Sequence, residues 1–243
     1  VSGSVGVDLE ELNSVGGFFA LRAGGPSGAH VPLARVYAGD TAALTDRVDT
    51  VASRLRAPER RVAASIAHLG LAARLWSVAL GSAALHGQLP DLDPRQLYWD
   101  PARTSPDDLR LADLRPLPAT ATATAETVRE AVQYGHLVPL AQALRRDVRI
   151  SPRLLWGNAG SALAGAVREL RSWARRSGRP EVAERAAALA AGLFAHPDLS
   201  GTVQGTALRR RSCCLYYRCP GGGLCGDCVF DHPPQSPAHS SAQ

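Results

Sequence analysis

Arg209-Arg-Arg-Ser-Cys213-Cys214-Leu-Tyr-Tyr-Arg218-Cys219-Pro-Gly-Gly-Gly-Leu-Cys225-Gly-Asp-Cys228 holds all five cysteines of this 243-residue chain. Cysteines scattered through a core usually act as small hydrophobes, whereas a block of thiols in one glycine-rich stretch points to a metal. Nothing upstream of Cys213 carries a comparable signal, so the rest of the chain is read outward from this block.

The spacing is Cys213-Cys214, ten residues, Cys225, two residues, Cys228. A C-x-x-C pair closes readily on one ion, and Gly226 removes a side chain where that turn is tightest. The Gly221-Gly222-Gly223 run lets the backbone fold closely and aim amide hydrogens at sulfur. Adjacent cysteines are more demanding. In an extended strand their side chains point to opposite faces, so Cys213 and Cys214 share a site only if the backbone turns there.

Four chemistries compete. A disulfide framework fits poorly with an odd cysteine count and a reducing compartment. Four thiolates suit a tetrahedral structural zinc, yet zinc knuckles normally use two C-x-x-C hairpins. His232, four residues after Cys228, offers a three-cysteine, one-histidine variant of that site. A thioredoxin-like redox pair lacks its βαβ context and leaves Cys213 and Cys214 unexplained. An iron–sulfur cluster employs four thiolates and, with two irons, demands no symmetrical hairpin. Cys219 could replace Cys214 as a ligand; the simpler reading is a spare thiol.

All 27 basic residues are arginine, methionine is absent, and asparagine and isoleucine occur twice each. Those scarce residues have A- and T-rich codons, which implies a gene of very high G+C content and reads Val1 as a translated alternative start. Arginine richness is then partly a codon effect, so the net charge of +5 is weak evidence for nucleic acid. Most arginines stand singly among Asp and Glu rather than on one basic face, and no nucleic-acid partner is expected. Val1 to Ser14 carries Asp8, Glu10 and Glu11 and no apolar h-region, so no secretory signal is read there. The most membrane-like stretch, Val62 to Gly87, has Arg74 near its centre. An arginine there costs about 2.5–3.5 kcal/mol of insertion, which favours a buried amphipathic helix over a transmembrane span. The expectation is a cytoplasmic protein.

Periodicity makes the chain mainly α. Residues 1–39 form an N-terminal segment with short strands at Phe18–Leu21 and Val31–Tyr37. Asp40 or Thr41 caps a helix to about Arg56 with Leu44, Val48, Val51 and Leu55 on one face, and Pro58 opens the next, through Val62, Ile66, Leu69, Leu75, Trp76 and Leu80. Gln96–Trp99 and Leu109–Leu114 suggest a small hairpin, and the Ala-Thr alternation at 119–125 a polar approach to another helix. Helices follow over about 126–135, from Pro139 to about 147, from Ser151-Pro152 to Gly178, and from Pro180 to just before His196. The division expected is 1–39, a helical body at 40–204, a cysteine-rich module at 205–230, and a disordered tail at 231–243.

The stretch from Arg211 to Cys228 closely resembles the C-terminal [2Fe–2S] module of FhuF-type ferric-siderophore reductases. Their C-C-x10-C-x2-C signature is matched at Cys213, Cys214, Cys225 and Cys228. The Arg74-Leu-Trp76 helix and Trp156-Gly-Asn158 are similar to parts of the actinobacterial branch, so the resemblance covers about 40 to 230. That body is distantly similar to the helical C-terminal region of NRPS-independent siderophore synthetases. Their nucleotide-binding Glu-x-His-x-Gln-Asn pattern is not reproduced, since only His136 matches, which argues against ATP-driven ligation. The resemblance implies a [2Fe–2S] cluster on those four cysteines and one-electron reduction of a ferric siderophore, the hydroxamate type being expected. It also implies an electron donor such as a ferredoxin or an NAD(P)H-dependent reductase, in the cytosol or peripherally at the inner face of the membrane. Arg209, Arg210, Arg211 and Arg218 are candidates for offsetting an anionic cluster and docking donor or chelate. Trp156 and Asn158 are further candidates, on a helix facing the module, and Tyr216 and Tyr217 are expected to pack the module against the body. The competing reading is a non-catalytic electron carrier or a zinc-stabilised siderophore-binding protein on the same scaffold.

Overall fold

The computed structural model describes residues 6–115 and 122–234. Asp8 caps the first helix, α1 (Leu9–Val15), by accepting from the backbone N–H groups of Glu10 at 2.8 Å and Glu11 at 3.2 Å. A 3₁₀ turn (Gly17–Phe19) leads to β1 (Arg22–Ala23) and β2 (Val31–Pro32). The first strand thus starts later than its apolar residues suggest, and the second is shorter. Pro32 has no N–H to extend a ladder, and α2 (Leu33–Ala38) begins immediately after it, ending on Gly39 at φ +117°.

Two helices then follow the periodicity closely. Helix α3 (Ala42–Leu55) buries Leu44, Val48 and Val51, and α4 (Arg60–His86) buries Val62, Leu75, Trp76 and Leu80. By length and composition α4 could cross a membrane, but 78% of its most apolar window is buried inside the fold. Arg74 accounts for part of that burial. Its guanidinium pairs with Asp108 at 2.8 Å and donates to the carbonyls of Gly17, Phe18 and Ala20. A charge that the sequence reads as an obstacle to membrane insertion ties α4 to the N-terminal turn and to the strand region.

The hairpin of β3 (Leu97–Trp99) and β4 (Leu109–Leu111) pairs Leu97 with Leu111 and Trp99 with Leu109, all four buried. β1 adds in parallel to β4 and β2 antiparallel to β3, so the N-terminal segment completes this sheet.

The next helical stretch departs from expectation. Instead of two helices separated before Pro139, α5 (Ala125–Arg129), a π-helical stretch (Glu130–Leu137) and α6 (Val138–Asp147) run on without a break. The wider π turn accommodates a proline that cannot donate, which an α-helical ladder would not. It also turns His136 inward, where the Tyr37 hydroxyl lies 2.9 Å from Nδ1 and the Leu92 carbonyl 2.7 Å from Nε2.

Helix α7 (Pro152–Ser177) starts and stops where its proline and Gly178 predict, and α8 (Pro180–Phe194) follows. Helices α4 and α7 pack along each other as the central pair, with α3 and α8 against α4. Part of the Ala-Thr stretch, residues 119–121, and the expected tail from residue 235 onward lie outside the described residues.

Candidate metal centre

The cysteines are carried by a small hairpin of β5 (Val203–Gln204) and β6 (Arg209–Arg210), which pairs Val203 with Arg210. Beyond β6 come Cys213 and Cys214, and then Leu215 at φ +70° turns the backbone into a 3₁₀ turn (Tyr216–Arg218). Adjacent cysteines need such a reversal to serve one site. The Leu215 N–H donates to Cys213 Sγ at 3.2 Å. In the glycine run, the Gly222 N–H donates to the Cys219 carbonyl at 2.7 Å. A Cβ at Gly222 would stand 2.8 Å from that carbonyl and closer still to that of Tyr216, so the loop closes only with glycine there.

The C-x-x-C pair forms its own turn, with the Cys228 N–H donating to the Cys225 carbonyl at 3.0 Å. Asp227 anchors it: one carboxylate oxygen accepts from Ser161 on α7 at 2.5 Å, and the other lies 3.7 Å from Cys225 Sγ. Its backbone carbonyl accepts from the Arg210 N–H at 3.2 Å, joining the turn to β6.

Three of the thiols interact in sequence, Cys213 with Cys214 and Cys214 with Cys225, and Cys228 lies near Cys213. A hydrogen bond from the Cys214 thiol holds Cys213 down at about 7, while the same contact raises Cys214, and hydrogen bonding with Cys214 together with burial raises Cys225 far above the usual thiol range. Cys228 is near enough to Cys213 to act on it electrostatically. Cys219 stands apart. It is buried, and burial alone raises its thiol. Thiols that interact in this way cannot all ionise without a compensating positive charge, which is what a polynuclear iron centre supplies. Among the described residues, no three or more His, Cys, Asp or Glu form a ready-made cage for a metal ion. The contacts instead run as a chain from Cys213 through Cys214 to Cys225.

The module is seated on α4 and α7 by polar contacts that the interior encloses. Ser65 on α4 donates to the Cys214 carbonyl at 2.8 Å. Asn158 on α7 donates to the Ser65 carbonyl at 2.9 Å and Oγ at 3.0 Å, and accepts from Arg210 at 2.6 Å. Two glycines of α7 let the module approach. A Cβ at Gly157 would overlap the side chain of Ser212, and one at Gly160 would stand 2.7 Å from Thr202 Cβ.

Two family comparisons match this chain. The model of the ferric iron reductase FhuF-like transporter covers residues 72–212, and that of the FhuF 2Fe-2S C-terminal domain covers residues 210–230. The chain belongs to the FhuF-like family. No curated protein matches it. The family's C-terminal domain carries a [2Fe–2S] cluster. The donor set of this FhuF-like chain fits that group: four sulfurs, an amide hydrogen on one of them, and a buried cation alongside.

That cation is Arg210. Its side chain is fully buried, and it acts electrostatically on Cys213, Cys214 and Cys225. It donates to the Ser212 carbonyl and to Asn158, and its Nη1 has no hydrogen-bond partner among the described residues. The structure divides the four arginines that the sequence groups together. Arg209 bonds to the Cys228 carbonyl and to Asp231 at 2.8 Å, and Arg218 pairs with Glu59 beside the Tyr217 ring. Arg211 is exposed, its backbone N–H bound to the Thr202 carbonyl at 2.8 Å. Tyr217 packs edge-on to Phe230 within the module, and the turn that carries it, Tyr216–Arg218, lies against α4. Trp156 is half-buried on α7, one residue before Gly157.

Sequence reasoning missed Ser65, Ser161, Ser212 and the glycine pair. A serine on a long alanine-rich helix gives no signal of its own. Gly157 and Gly160, three apart inside a helix where glycine costs about 1 kcal/mol relative to alanine, did mark a close approach.

Proposed function

We propose that the chain is a ferric-siderophore reductase, taking chelated Fe(III) to Fe(II) one electron at a time so that iron leaves an unhydrolysed chelator. The observation that carries this reading is the set of four cysteines in one module, Cys213, Cys214 and Cys225 interacting in a chain and Cys228 near Cys213, seated on the helical body beside a buried arginine. When bound there, a [2Fe–2S] cluster supplies a one-electron couple. The oxygen donors of siderophores grip hard ferric iron far better than the larger ferrous ion, so a single electron suffices for release.

The chain's own part is to hold and insulate that couple. Cys213 and Cys214 are held by the Leu215 reversal, and Cys225 and Cys228 by the turn that Asp227 and Ser161 pin to α7. Ser65, Asn158 and Arg210 fix the module's distance from the body. The electron comes from a donor such as a ferredoxin or an NAD(P)H-dependent reductase, and we place the reaction in the cytosol.

The test is direct. Purified protein should be red-brown, gain an EPR signal on chemical reduction, and then deliver ferrous iron from a ferric siderophore to a chromogenic trap. Colourless protein holding one zinc per chain would refute the cluster assignment. A coloured protein that passes no electron to any ferric siderophore would leave an electron carrier in place of a reductase.

A further inference from the structure

A cleft of about 430 Å³ opens beside the cysteine module, where Gly157, Thr202, Arg211 and Ser212 border open space. Its walls include Arg153 and Trp156 from the first turns of α7, Asp198 and Thr202 from the segment after α8, and Arg211 and Ser212 from the module. The volume falls within the range of small-molecule sites.

Its electrostatics are lopsided. Arg153 and Arg211 are exposed, and among the described residues neither forms an ion pair. The acidic wall residue, Asp198, is already bonded to the Gln133 amide at 2.6 Å and lies 3.6 Å from His196 Nδ1. Trp156 adds a flat apolar face, half-buried and held by the core behind it. Ser212 also borders the cleft, its Oγ enclosed against Gly157 with no partner among the described residues. Ser212 is bonded to Cys213, so the Cα of this wall residue and the Cα that carries the first thiol are about 3.8 Å apart.

We propose that this cleft is the chelate-binding site and that it selects anionic ferric chelates, with Arg153 and Arg211 gripping catecholate or carboxylate oxygens and Trp156 supporting a planar arm. This rests on the reductase reading and narrows it. A cationic trihydroxamate, of the type expected from the sequence, meets two exposed guanidinium groups against the one carboxylate of Asp198 and is disfavoured. Arginine suits the task because its planar fork matches a pair of anionic oxygens and keeps its charge at any working pH. The neighbouring arginines do not compete, since Arg209 and Arg218 are engaged with Asp231 and Glu59.

Equilibrium binding of gallium(III) chelates to the cluster-loaded protein tests this, because gallium matches the charge of ferric iron and accepts no electron. The probes are a trianionic gallium tris-catecholate, gallium citrate, a cationic amine-bearing linear trihydroxamate complex, and NADPH. The tris-catecholate should bind at least about tenfold more tightly than the cationic complex, with affinity falling as salt is raised. Arg153→Gln with Arg211→Gln should abolish that preference while the visible spectrum and reduction potential of the cluster stay unchanged. Trp156→Leu should weaken the tris-catecholate more than citrate. Equal binding of anionic and cationic complexes, no binding of any complex, or undiminished preference in the double variant would each overturn the assignment. So would NADPH competing for the cleft more strongly than the chelates do. The salt dependence in unaltered protein gives an independent reading should the double variant lose its cluster. Tight gallium binding without reduction of the ferric counterpart would sink the reductase reading and leave the cleft assignment standing.

Discussion

Replacing Arg210 by glutamine removes the buried cation that faces three of the four thiols. The variant keeps a donor for Asn158 Oδ1 while deleting one full charge. Two unit charges on the order of 6–8 Å apart at an effective dielectric of about 20 interact by about 2–3 kcal/mol. Each electron added to the cluster feels that interaction once, so its loss lowers the potential of a one-electron couple by about 90–120 mV. Redox titration followed by visible absorbance or EPR measures the shift, and cluster content is determined on the same samples. Arg210→Lys retains the charge with a shorter reach and should stay much nearer the unaltered potential. A fully loaded Arg210→Gln protein with an unchanged potential would refute the reasoning, as would a shift toward positive values. Arg218→Gln is the comparison, because its charge is exposed and paired with Glu59, and it should move the potential little.

Other expectations are as sharp. Gly157→Ala forces a methyl group into the Ser212 side chain and should cost about 1–3 kcal/mol of stability along with cluster retention, read by chemical denaturation and iron content. Gly165→Ala on the same helix meets only the flexible end of Arg168 and should stabilise by up to about 1 kcal/mol. Cys219→Ser should keep the full visible spectrum, whereas serine at Cys213, Cys214, Cys225 or Cys228 should bleach it; loss of the spectrum in Cys219→Ser would reassign the ligands. His68 and His136 are buried as neutral rings, burial holding each down at about 4. Between about pH 6.5 and 4 the unfolded chain binds protons that the folded one refuses, so stability is complete above about 6.5 and falls as pH drops, by up to about 3 kcal/mol for each ring. His68→Leu, which removes a ring whose Nδ1 has no partner among the described residues, should flatten that pH dependence in denaturation midpoints; an unchanged slope would show that His68 is not its source.

The mainly helical class and most helix limits were legible because they depend on local chemistry. Pro152 at the first turn and left-handed Gly178 bracket α7, and Thr41 and Arg56 bracket α3, as proline, glycine and periodicity require, with no side-chain cap bond from Ser151 or Thr41. The cysteine spacing was legible for the same reason, since its glycines and short separations act over a few residues. The continuous helix across Pro139 was not, because a π turn is stabilised by what the displaced residues meet. Here His136 meets Tyr37 and Leu92, both far away in sequence.

The sequence by itself determined a helical body, a thiol-rich module at its C-terminal side, and the type of chemistry four such cysteines support. Only the tertiary structure decided which charges matter. Four arginines within ten residues look equivalent on paper, yet one is sealed beneath the thiols, two are paired with Asp231 and Glu59, and one faces an open cleft. The difference arises from burial and from partners that lie as far as 159 residues away in the chain. A charge acts through its distance from other charges and from water, and neither is written in sequence order.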